Sequence, residues 1–346
     1  MKESCKVITI RDVARRAGVG VGTVSRVLNG SEQVKPLTRE WVRSVMVHLG
    51  FRPNAGARRI QRRRTEMVCF ILSNRDFLHS FHARILQGVE SYASAHKHHV
   101  VFAAVHYSDK TMPDLIELPP ILQERGLVDG LILAGTIYSN FLDRIKAIHL
   151  PYVVLGNNLL ANHLSSRPDQ VRFDDLKGEF EATQYLIGQG HRRIVFVGDA
   201  YYPWMRIRGK GYRRAMQLKK LASLEVTDHY EAGFRDYGEW SARRILGFQP
   251  RPTAVVAGND EIAYGAWRSF RRLGVHVPDE VSLVGFDDRE EALLMDPPLT
   301  TVRVHKEEIG KSLMKMLLEK LHHPNGHLRR QVLSTELVIR DSVRRL

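Results

Sequence analysis

Three polar side chains that could bind a small ligand stand far apart in this chain, each at or after a short apolar segment. They are Arg206, Asn259 and Asp287. A guanidinium, an amide and a carboxylate can together bind vicinal hydroxyl groups through paired hydrogen bonds, and nearby aromatic rings can cover the apolar faces of a sugar-like ring. These residue types therefore indicate ligand binding.

Patterns for catalysis or metal binding are weak in comparison. Asp287 and Asp288 are adjacent, and at an extended strand end their side chains point apart instead of sharing a proton. His96, His98 and His99 lack nearby cysteines and well-spaced carboxylates, so we interpret them as solvated histidines at a helix end. The sequence predicts that the protein is not an enzyme and holds no catalytic residue, metal or other cofactor.

The elements that must position the ligand-binding residues alternate between strands and helices from residue 67 onward. This alternation predicts parallel sheets with helices on both faces. The predicted strands are Met67–Leu72, Val100–Val105, Gly130–Ala134, Tyr152–Leu155, Ile194–Val197, Ala254–Ala257 and Val281–Gly285. The predicted helices are Ala83–Ala95, Leu176–Leu186, Met205–Leu218, Ile262–Leu273 and Lys306–Leu321.

This α/β region is too long for one small open sheet. It divides near Leu164–Asp169, a polar segment with a proline that separates two similar series of strands and helices. Ligands bind beyond the carboxyl ends of the strands in such sheets, so we predict two doubly wound lobes with a ligand cleft between them.

The N-terminal residues have a different pattern, which is typical of DNA recognition. Thr9 and Asp12 have the spacing of a capping box at the start of a short helix. A glycine-containing turn at 18–20 ends that helix, and Val24 and Val27 belong to the apolar face of a second one. Two helices joined by such a turn form a helix-turn-helix, whose second helix enters the DNA major groove.

A third helix is predicted to end at Gly50, with Thr38 as its N-cap and Trp41 packed in the core. These three helices would form a small headpiece. In the basic segment that follows, Pro53 and Asn54 can start another helix of about two turns, a length that is marginal in water without support.

Basic residues are concentrated in the same part of the chain. Residues 1–64 contain 15 Lys or Arg and 4 Asp or Glu, which accounts for +11 of the net charge of +14. This confinement favours nucleic acid as the partner. No amphipathic anchor, signal peptide or apolar run of membrane-spanning length accompanies it, so we expect no membrane contact. Cys5 and Cys69 alone fit a reducing compartment, and we expect the bacterial cytoplasm, at the nucleoid.

The headpiece resembles that of the LacI/GalR family of bacterial transcription regulators. The matching residues are Asp12–Ala14, Ala17–Val19, Thr23–Asn29, Thr38–Arg39, Pro53, Asn54, Ala57 and Ile60. The α/β region is similar to the same family at Val128–Leu133, Gly190–Ile194, Gly258–Asp260, Val277–Asp288 and Pro297–Val302. The resemblance implies an N-terminal all-α helix-turn-helix headpiece and an α/β domain of two doubly wound lobes, like that of periplasmic binding proteins.

The resemblance also implies how the chain is divided. The expected parts are a DNA-binding headpiece at 1–52, a hinge helix or linker at 53–65, and an effector-binding and dimerisation domain at 66–346. Three crossings between the lobes are expected, near Leu164–Asp169, Thr300–Val304 and Gln331. Lobe 1 would take about 66–164 and 305–330, and lobe 2 about 169–300 and 331–346.

By the same resemblance, paired hinge helices of a homodimer enter the minor groove of pseudopalindromic double-stranded operator DNA. Ile60 stands at the wedge position, where the family usually has Leu. Val21 and Gly22 occupy the positions of base-contacting residues, and Gly20 replaces a common Ser cap. Arg26 can bond a guanine through two hydrogen bonds, worth about 1–3 kcal/mol of discrimination. The predicted DNA-binding residues are Thr9, Gly20, Val21, Gly22, Thr23, Ser25, Arg26, Asn29, Asn54, Ala57 and Ile60.

In the α/β region, the resemblance implies an effector site that includes the three polar residues named above. The predicted effector-binding residues are Phe81, Asp174, Arg206, Asn259 and Asp287. Asp260 and Asp288 are expected only to cap helices or brace loops. The segment Ser73–His82 departs from the usual family pattern in its charge and histidine content, which leaves the small molecule open.

We therefore expect a ligand-controlled DNA-binding regulator, a repressor of carbohydrate-use genes with a sugar-like effector. Two alternatives stay open. One is a regulator with a purine-type corepressor that strengthens DNA binding. The other is a sugar-binding protein whose basic N-terminal segment is incidental.

Overall fold

The structure, a computed structural model, describes most of the 346-residue chain. The described residues are 8–28, 30–51, 64–75, 80–160, 168–231, 233–324 and 326–346. The chain divides into two compact units, Met1–Thr65 and Glu66–Leu346.

Three helices form the first unit around a small apolar core. They are α1 (Ile10–Ala17), α2 (Val21–Leu28) and α3 (Pro36–His48). The Thr9 hydroxyl accepts from the N–H of Asp12, and the Asp12 carboxylate accepts from the N–H of Thr9, so the predicted capping box is confirmed. Gly18, with φ of 70°, ends α1 in the left-handed conformation. The fully buried side chains at the centre are Val13, Val24 and Val42.

Two details predicted for the third helix are wrong. The helix begins at Pro36 and not after Thr38, because proline fits the first helical turn, where its missing N–H has no partner to lose. Trp41 is 54% exposed and lies outside the core. Its indole N–H instead donates to the carbonyl oxygen of Ala17, at the end of α1.

The second unit is built on two six-stranded sheets. The first has the order β13-β7-β5-β3-β1-β2 and is entirely parallel. Its strands are β1 (Met67–Ser73), β2 (His99–Val105), β3 (Gly130–Gly135), β5 (Tyr152–Leu155), β7 (Gln170–Phe173) and β13 (Arg330–Leu333). A short pair, β4 (Ile137–Tyr138) and β6 (Leu159–Leu160), lies apart from it.

The second sheet has the order β14-β12-β11-β10-β8-β9 and is parallel except for its edge strand β14. Its strands are β8 (Ile194–Val197), β9 (Leu224–Val226), β10 (Ala254–Ala257), β11 (Ser282–Asp287), β12 (Thr300–Val304) and β14 (Thr335–Val338). Each sheet with its helices forms one lobe.

Helices cover the sheets and pack in pairs, α4 with α12, α7 with α8, and α9 with α10. The helices are α4 (Ser80–Ala95), α5 (Pro120–Gln123), α6 (Ser139–Ala147), α7 (Asp175–Gly188), α8 (Pro203–Leu218), α9 (Phe234–Leu246), α10 (Asp260–Arg272), α11 (Glu291–Leu294) and α12 (Lys306–His322). Two single 3-10 turns lie at Pro113–Leu115 and Gly156–Asn158. None of the described helices is long and apolar enough to cross a membrane.

Both faces of the central strands of the first sheet are buried, as predicted for a doubly wound lobe. In β1, Phe70 and Leu72 pack into one apolar cluster, whereas Cys69 and Ile71 pack into another. Burial on both faces explains why the sequence of this strand is continuously apolar and does not alternate.

The lobes are joined at three places, and the first is not at the predicted position. Because β7 pairs with β5 and β13 in the first sheet, the chain enters the second lobe after Phe173 and not near 164–169. The polar, proline-containing segment thus precedes the last strand of lobe 1. The second crossing follows Val304, at the end of β12, and the third lies at Ser334, between β13 and β14.

Candidate ligand-binding site and DNA-contacting helix

A small cavity of about 40 Å³ lies between the lobes, beyond the carboxyl ends of β1, β7, β10 and β11. Lobe 1 lines it with Arg75, Phe81, His82, Asn158 and Phe173, and lobe 2 with Trp204, Arg208, Phe234, Asn259, Glu261 and Asp287. The lining combines aromatic rings with a few charged and amide groups, which are the residue types that bind small polar rings, and the lobes must move apart before such a ring can enter this volume.

Arg208 holds the cavity floor together through buried charges. Its Nε donates to Asp175 at 2.8 Å and a terminal nitrogen donates to Asp287 at 3.2 Å. A second terminal nitrogen donates to the carbonyl oxygen of Gly258, and the guanidinium lies 3.6 Å from the ring centroid of Phe286. Burial opposes the charge of Arg208, but Asp175 and Asp287 outweigh it and raise the pKa of the guanidinium.

Asn259 and Asp287 present polar groups on the lobe 2 side. Asn259 caps α10, since its side-chain oxygen accepts from the N–H of Ile262 at 2.9 Å. Within the described residues its amide nitrogen has no hydrogen-bond partner. Asp287 has a φ of 113°, a conformation that costs energy for any residue other than glycine and is often found at binding sites.

Two side chains of lobe 1 helices connect the lobes next to this cavity. Lys306, at the start of α12, donates to the carbonyl oxygens of Asp287 at 2.5 Å and Asp288 at 2.8 Å. Arg84 of α4 pairs with Glu290 at 2.8 Å. Burial lowers the pKa of Lys306, and the surrounding carboxylates counteract that effect. The position of the two lobes is thus tied to the loop that follows β11.

Arg75, which was not among the predicted effector-binding residues, reaches from lobe 1 to three aromatic rings of lobe 2. Its guanidinium carbon lies 5.6 Å from the ring centroids of Tyr202 and Trp204 and 5.4 Å from that of Phe234. Burial lowers the pKa of Arg75. The one sequence feature that pointed to Arg75 was the unusual charge of the segment Ser73–His82, which contains it.

A second cavity of about 460 Å³ is lined by residues of both lobes. Tyr138 of lobe 1 and Tyr201 of lobe 2 both line it, and their hydroxyl oxygens are 3.3 Å apart. Burial raises the pKa of Tyr138, so this hydroxyl stays neutral and can donate. We call the first cavity the inner cavity and this larger one the outer cavity.

In the first unit, α2 turns its apolar residues inward and its predicted DNA-contacting residues outward. Val24 and Val27 are buried in the core, whereas Val21 is 43% exposed. Gly20 and Gly22 are exposed, and a side chain added to either would meet nothing within 4 Å. Thr9 and Arg26 are also exposed, and Thr23 and Ser25 are half-buried. Asn29, Asn54, Ala57 and Ile60 lie outside the described residues.

Known proteins identify this combination of domains. A model described as bacterial regulatory proteins, lacI family, matches residues 9–54, and one for a periplasmic binding protein-like domain matches residues 183–343. The ribose operon repressor of Haemophilus influenzae is 30% identical, over 97% of this chain and 98% of its own. The chain belongs to the LacI family of bacterial transcriptional regulators. The catabolite control protein A of Priestia megaterium is 32% identical, over 91% of this chain and 93% of its own.

Solved structures of LacI-family regulators have the same fold. The complex of the regulator CelR with cellobiose is 30% identical, with a TM-score of 0.69, over 97% of this chain and 99% of that one. The lac repressor dimer bound to operator and the anti-inducer ONPF has a TM-score of 0.79 at 24% identity, over 98% and 100%. The protein is thus a DNA-binding transcriptional regulator and not an enzyme, and its basic N-terminal segment is not incidental.

Within this LacI-family regulator, the structure brings together three of the five residues predicted to bind the effector. Phe81, Asn259 and Asp287 all line the inner cavity. The ring centroid of Phe81 lies 6.1 Å from that of Phe173, so these two rings form one aromatic wall. This proximity supports the prediction for all three residues.

The other two predicted residues, Arg206 and Asp174, are placed elsewhere. Arg206 donates to the carbonyl oxygens of Ala200 and Tyr201 and lines the outer cavity. Asp174 caps α7 by accepting from the N–H of Lys177. Arg208, two residues after Arg206, lines the inner cavity instead. Asp175, the residue after Asp174, pairs with Arg208 at the floor of that cavity.

Asp260 and Asp288 brace loops, as expected. Asp260 accepts from the hydroxyl of Thr301 and the N–H of Arg289, and burial raises its pKa to about 7. Asp288 pairs with Arg303 and Arg340 and does not line the inner cavity. Among the described residues, no group of three or more His, Cys, Asp or Glu is arranged to hold a metal.

Proposed function

We propose that this regulator is a homodimeric repressor of carbohydrate-use genes, controlled by a sugar-like effector bound between the lobes. The observation that carries the proposal is the inner cavity, where the Asn259 amide and the Asp287 carboxylate lie beside the rings of Trp204 and Phe234. Paired hydrogen-bonding groups next to apolar ring faces suit a polyhydroxylated ring. Because Arg208 and not Arg206 lines the inner cavity, we assign Arg208 as the arginine of this site.

The three crossings provide a way to transmit effector binding. An effector that contacts both lobes changes how tightly they close, and Lys306 and the Arg84–Glu290 pair respond because they connect the same two lobes.

Each headpiece contacts one half-site of a pseudopalindromic operator in the cytoplasm, at the nucleoid. Because an isolated hinge helix is marginal, a coupling of about 1–3 kcal/mol decides whether it forms on DNA.

The test combines selection of operator duplexes from a random pool with calorimetry of the full chain against sugars and purines. We expect a sugar to bind and to change operator affinity. The variant Asn259→Ser keeps a helix-capping hydroxyl but removes the amide donor, so we expect effector affinity to fall about tenfold or more while the thermal unfolding temperature stays nearly unchanged. Unchanged sugar affinity in this variant would contradict the assignment.

A purine-type corepressor is the second candidate. It is favoured by the four aromatic residues that line the inner cavity, which could enclose a flat base. The HTH-type transcriptional repressor PurR of Vibrio vulnificus is 30% identical over 98% of this chain. Tight binding of a purine, with increased operator affinity and no response to any sugar, would select this candidate over the first.

A further inference from the structure

The inner cavity contains a cation from one lobe surrounded by rings from the other. Arg75 follows β1 in lobe 1, whereas Tyr202, Trp204 and Phe234 belong to lobe 2. The three ring centroids lie 5.4–5.6 Å from the guanidinium carbon. Aromatic faces attract a guanidinium but do not neutralise it, and they offer no acceptor for the N–H groups at its edge.

The other positive groups around this cavity are already bonded to oxygen acceptors. Arg208 pairs with Asp175 and Asp287, and Arg289 pairs with Glu261 at 3.0 Å. The ammonium of Lys306 is bonded to two carbonyl oxygens.

Arg75 differs from them. Within the described residues, no carboxylate lies within 4.0 Å of its guanidinium. A cation removed from water is costly unless an anion accompanies it, and the lowered pKa of Arg75 reflects that cost. Glu261 and Asp287 line the same cavity and their charges favour the charged form of Arg75, but neither forms an ion pair with it, which leaves the N–H edge of the guanidinium for an anionic ligand group.

We propose that the effector is an acidic polyhydroxyl compound whose carboxylate or phosphate group pairs with Arg75. This inference rests on the proposed sugar-like effector and specifies its charge. The guanidinium presents two parallel N–H donors that match a carboxylate or phosphate edge. Repulsion from Asp287 directs the anionic group toward Arg75 and leaves the hydroxyl groups for Asn259 and Asp287. The ligand therefore has one orientation, with its acid end on lobe 1.

The experiment compares matched ligands on the full chain by calorimetry. The panel contains neutral aldoses, the aldonates and uronates derived from them, and their phosphate esters, so that the carboxylate and phosphate sources are measured separately. We expect one acidic member to bind at least about tenfold more tightly than its neutral counterpart, which is the usual size of a charge-assisted hydrogen bond. We expect the difference to shrink at high salt.

Variants of Arg75 test whether this residue causes the preference for the acidic ligand. Arg75→Gln is expected to abolish the preference for the acid, and Arg75→Lys to retain part of it, because an ammonium keeps the charge but loses the paired donors. The matched control is Arg213→Gln, which removes the same charge from the outer face of α8, where Arg213 pairs with Glu225. The control should leave the preference unchanged.

The outcomes separate this inference from the proposed function. If neutral sugars bind as tightly as their acids, or if Arg75→Gln keeps the preference, the acidic effector is wrong while the sugar-like effector stands. If no sugar of either kind binds, the proposed function itself is overturned. An acid preference that depends on Arg75 supports both.

Discussion

Glu179 is a buried carboxylate next to the charges that form the cavity floor. It lies in α7 with no exposed surface, and neither of its carboxylate oxygens has a hydrogen-bond partner within the described residues. Burial raises the pKa of Glu179 to about 8, against the opposing influence of Arg208. The side chain is therefore mainly protonated at neutral pH, which removes the cost of a buried unpaired charge.

This pKa predicts a pH-dependent loss of stability. The unfolded chain releases the Glu179 proton near pH 4.5, whereas the folded chain keeps it until about pH 8. Between these values the unfolded state binds fewer protons, so stability falls as pH rises. The variant Glu179→Gln lacks this penalty, and its advantage in free energy of unfolding should grow to about 3 kcal/mol at pH 7. It should level off about one pH unit above 8.

Denaturant unfolding at pH 5, 7 and 8 measures this difference. The control is Glu181→Gln, which changes a partly exposed carboxylate that pairs with Lys177 on the same helix. It should show no comparable pH dependence. A stability difference between Glu179→Gln and the wild type that is the same at all three pH values would contradict the prediction.

Single residues also show how far the sequence defines the site. Asn259 and Asp287 were predictable because each follows a buried strand, and strand ends meet at one edge of a sheet. Which of Arg206 and Arg208 faces the cavity was not predictable. Two arginines two positions apart on a helix face different sides, and the local sequence does not determine which side of the helix faces the cavity. The burial of Arg208 depends on Asp175 and Asp287, which come from two other elements.

At the scale of elements, a strand was predictable where its sequence is a continuous apolar run. The seven predicted strands are all present, because each is a nearly continuous run of apolar residues of strand length, including β2, which is mostly not buried. The edge strand β13 escaped prediction because three of its four residues are exposed and have no apolar pattern. The strand β7 was also missed, and its absence from the prediction moved the first crossing away from Phe173.

The close packing of α4 against α12 depends on two glycines. A Cβ atom added to Gly88 would lie 2.0 Å from the carbonyl oxygen of Glu307, and one added to Gly310 would lie 2.0 Å from that of Ile85. Neither backbone can yield without moving a whole helix. Gly88→Ala should therefore force the helices apart and lower the free energy of unfolding by about 1–3 kcal/mol.

The matched control for this prediction is Gly188→Ala. Gly188 is the last residue of α7, and an added Cβ there would meet nothing within 4 Å. Alanine is favoured over glycine in helices, so this variant should be neutral or more stable by up to about 1 kcal/mol. Urea unfolding compares the two, and equal effects on stability would show that helix contact at Gly88 is not the cause.

At the scale of the whole molecule, the excess of positive charge lies in the first unit and the candidate ligand-binding residues lie in the second. Residues 1–64 carry +11 of the net charge, while the rest of the chain is nearly balanced. Each unit has its own apolar core. If Val21 and Gly22 face the bases, as the resemblance implies, they offer little for direct readout, and we expect contacts to phosphates to supply most of the affinity for DNA.

Operator binding should therefore depend steeply on salt, whereas effector binding to the same chain should not follow that steep dependence. If the dimer neutralises 6–10 phosphates, operator affinity falls about 10³–10⁵-fold between 50 and 200 mM salt. Fluorescence anisotropy with a labelled duplex measures this slope. A fragment of residues 65–346 is the control, because it should lose duplex binding and keep the effector affinity of the full chain. Duplex binding by that fragment, or a shallow salt dependence of the full chain, would place the DNA-contacting surface outside the headpiece.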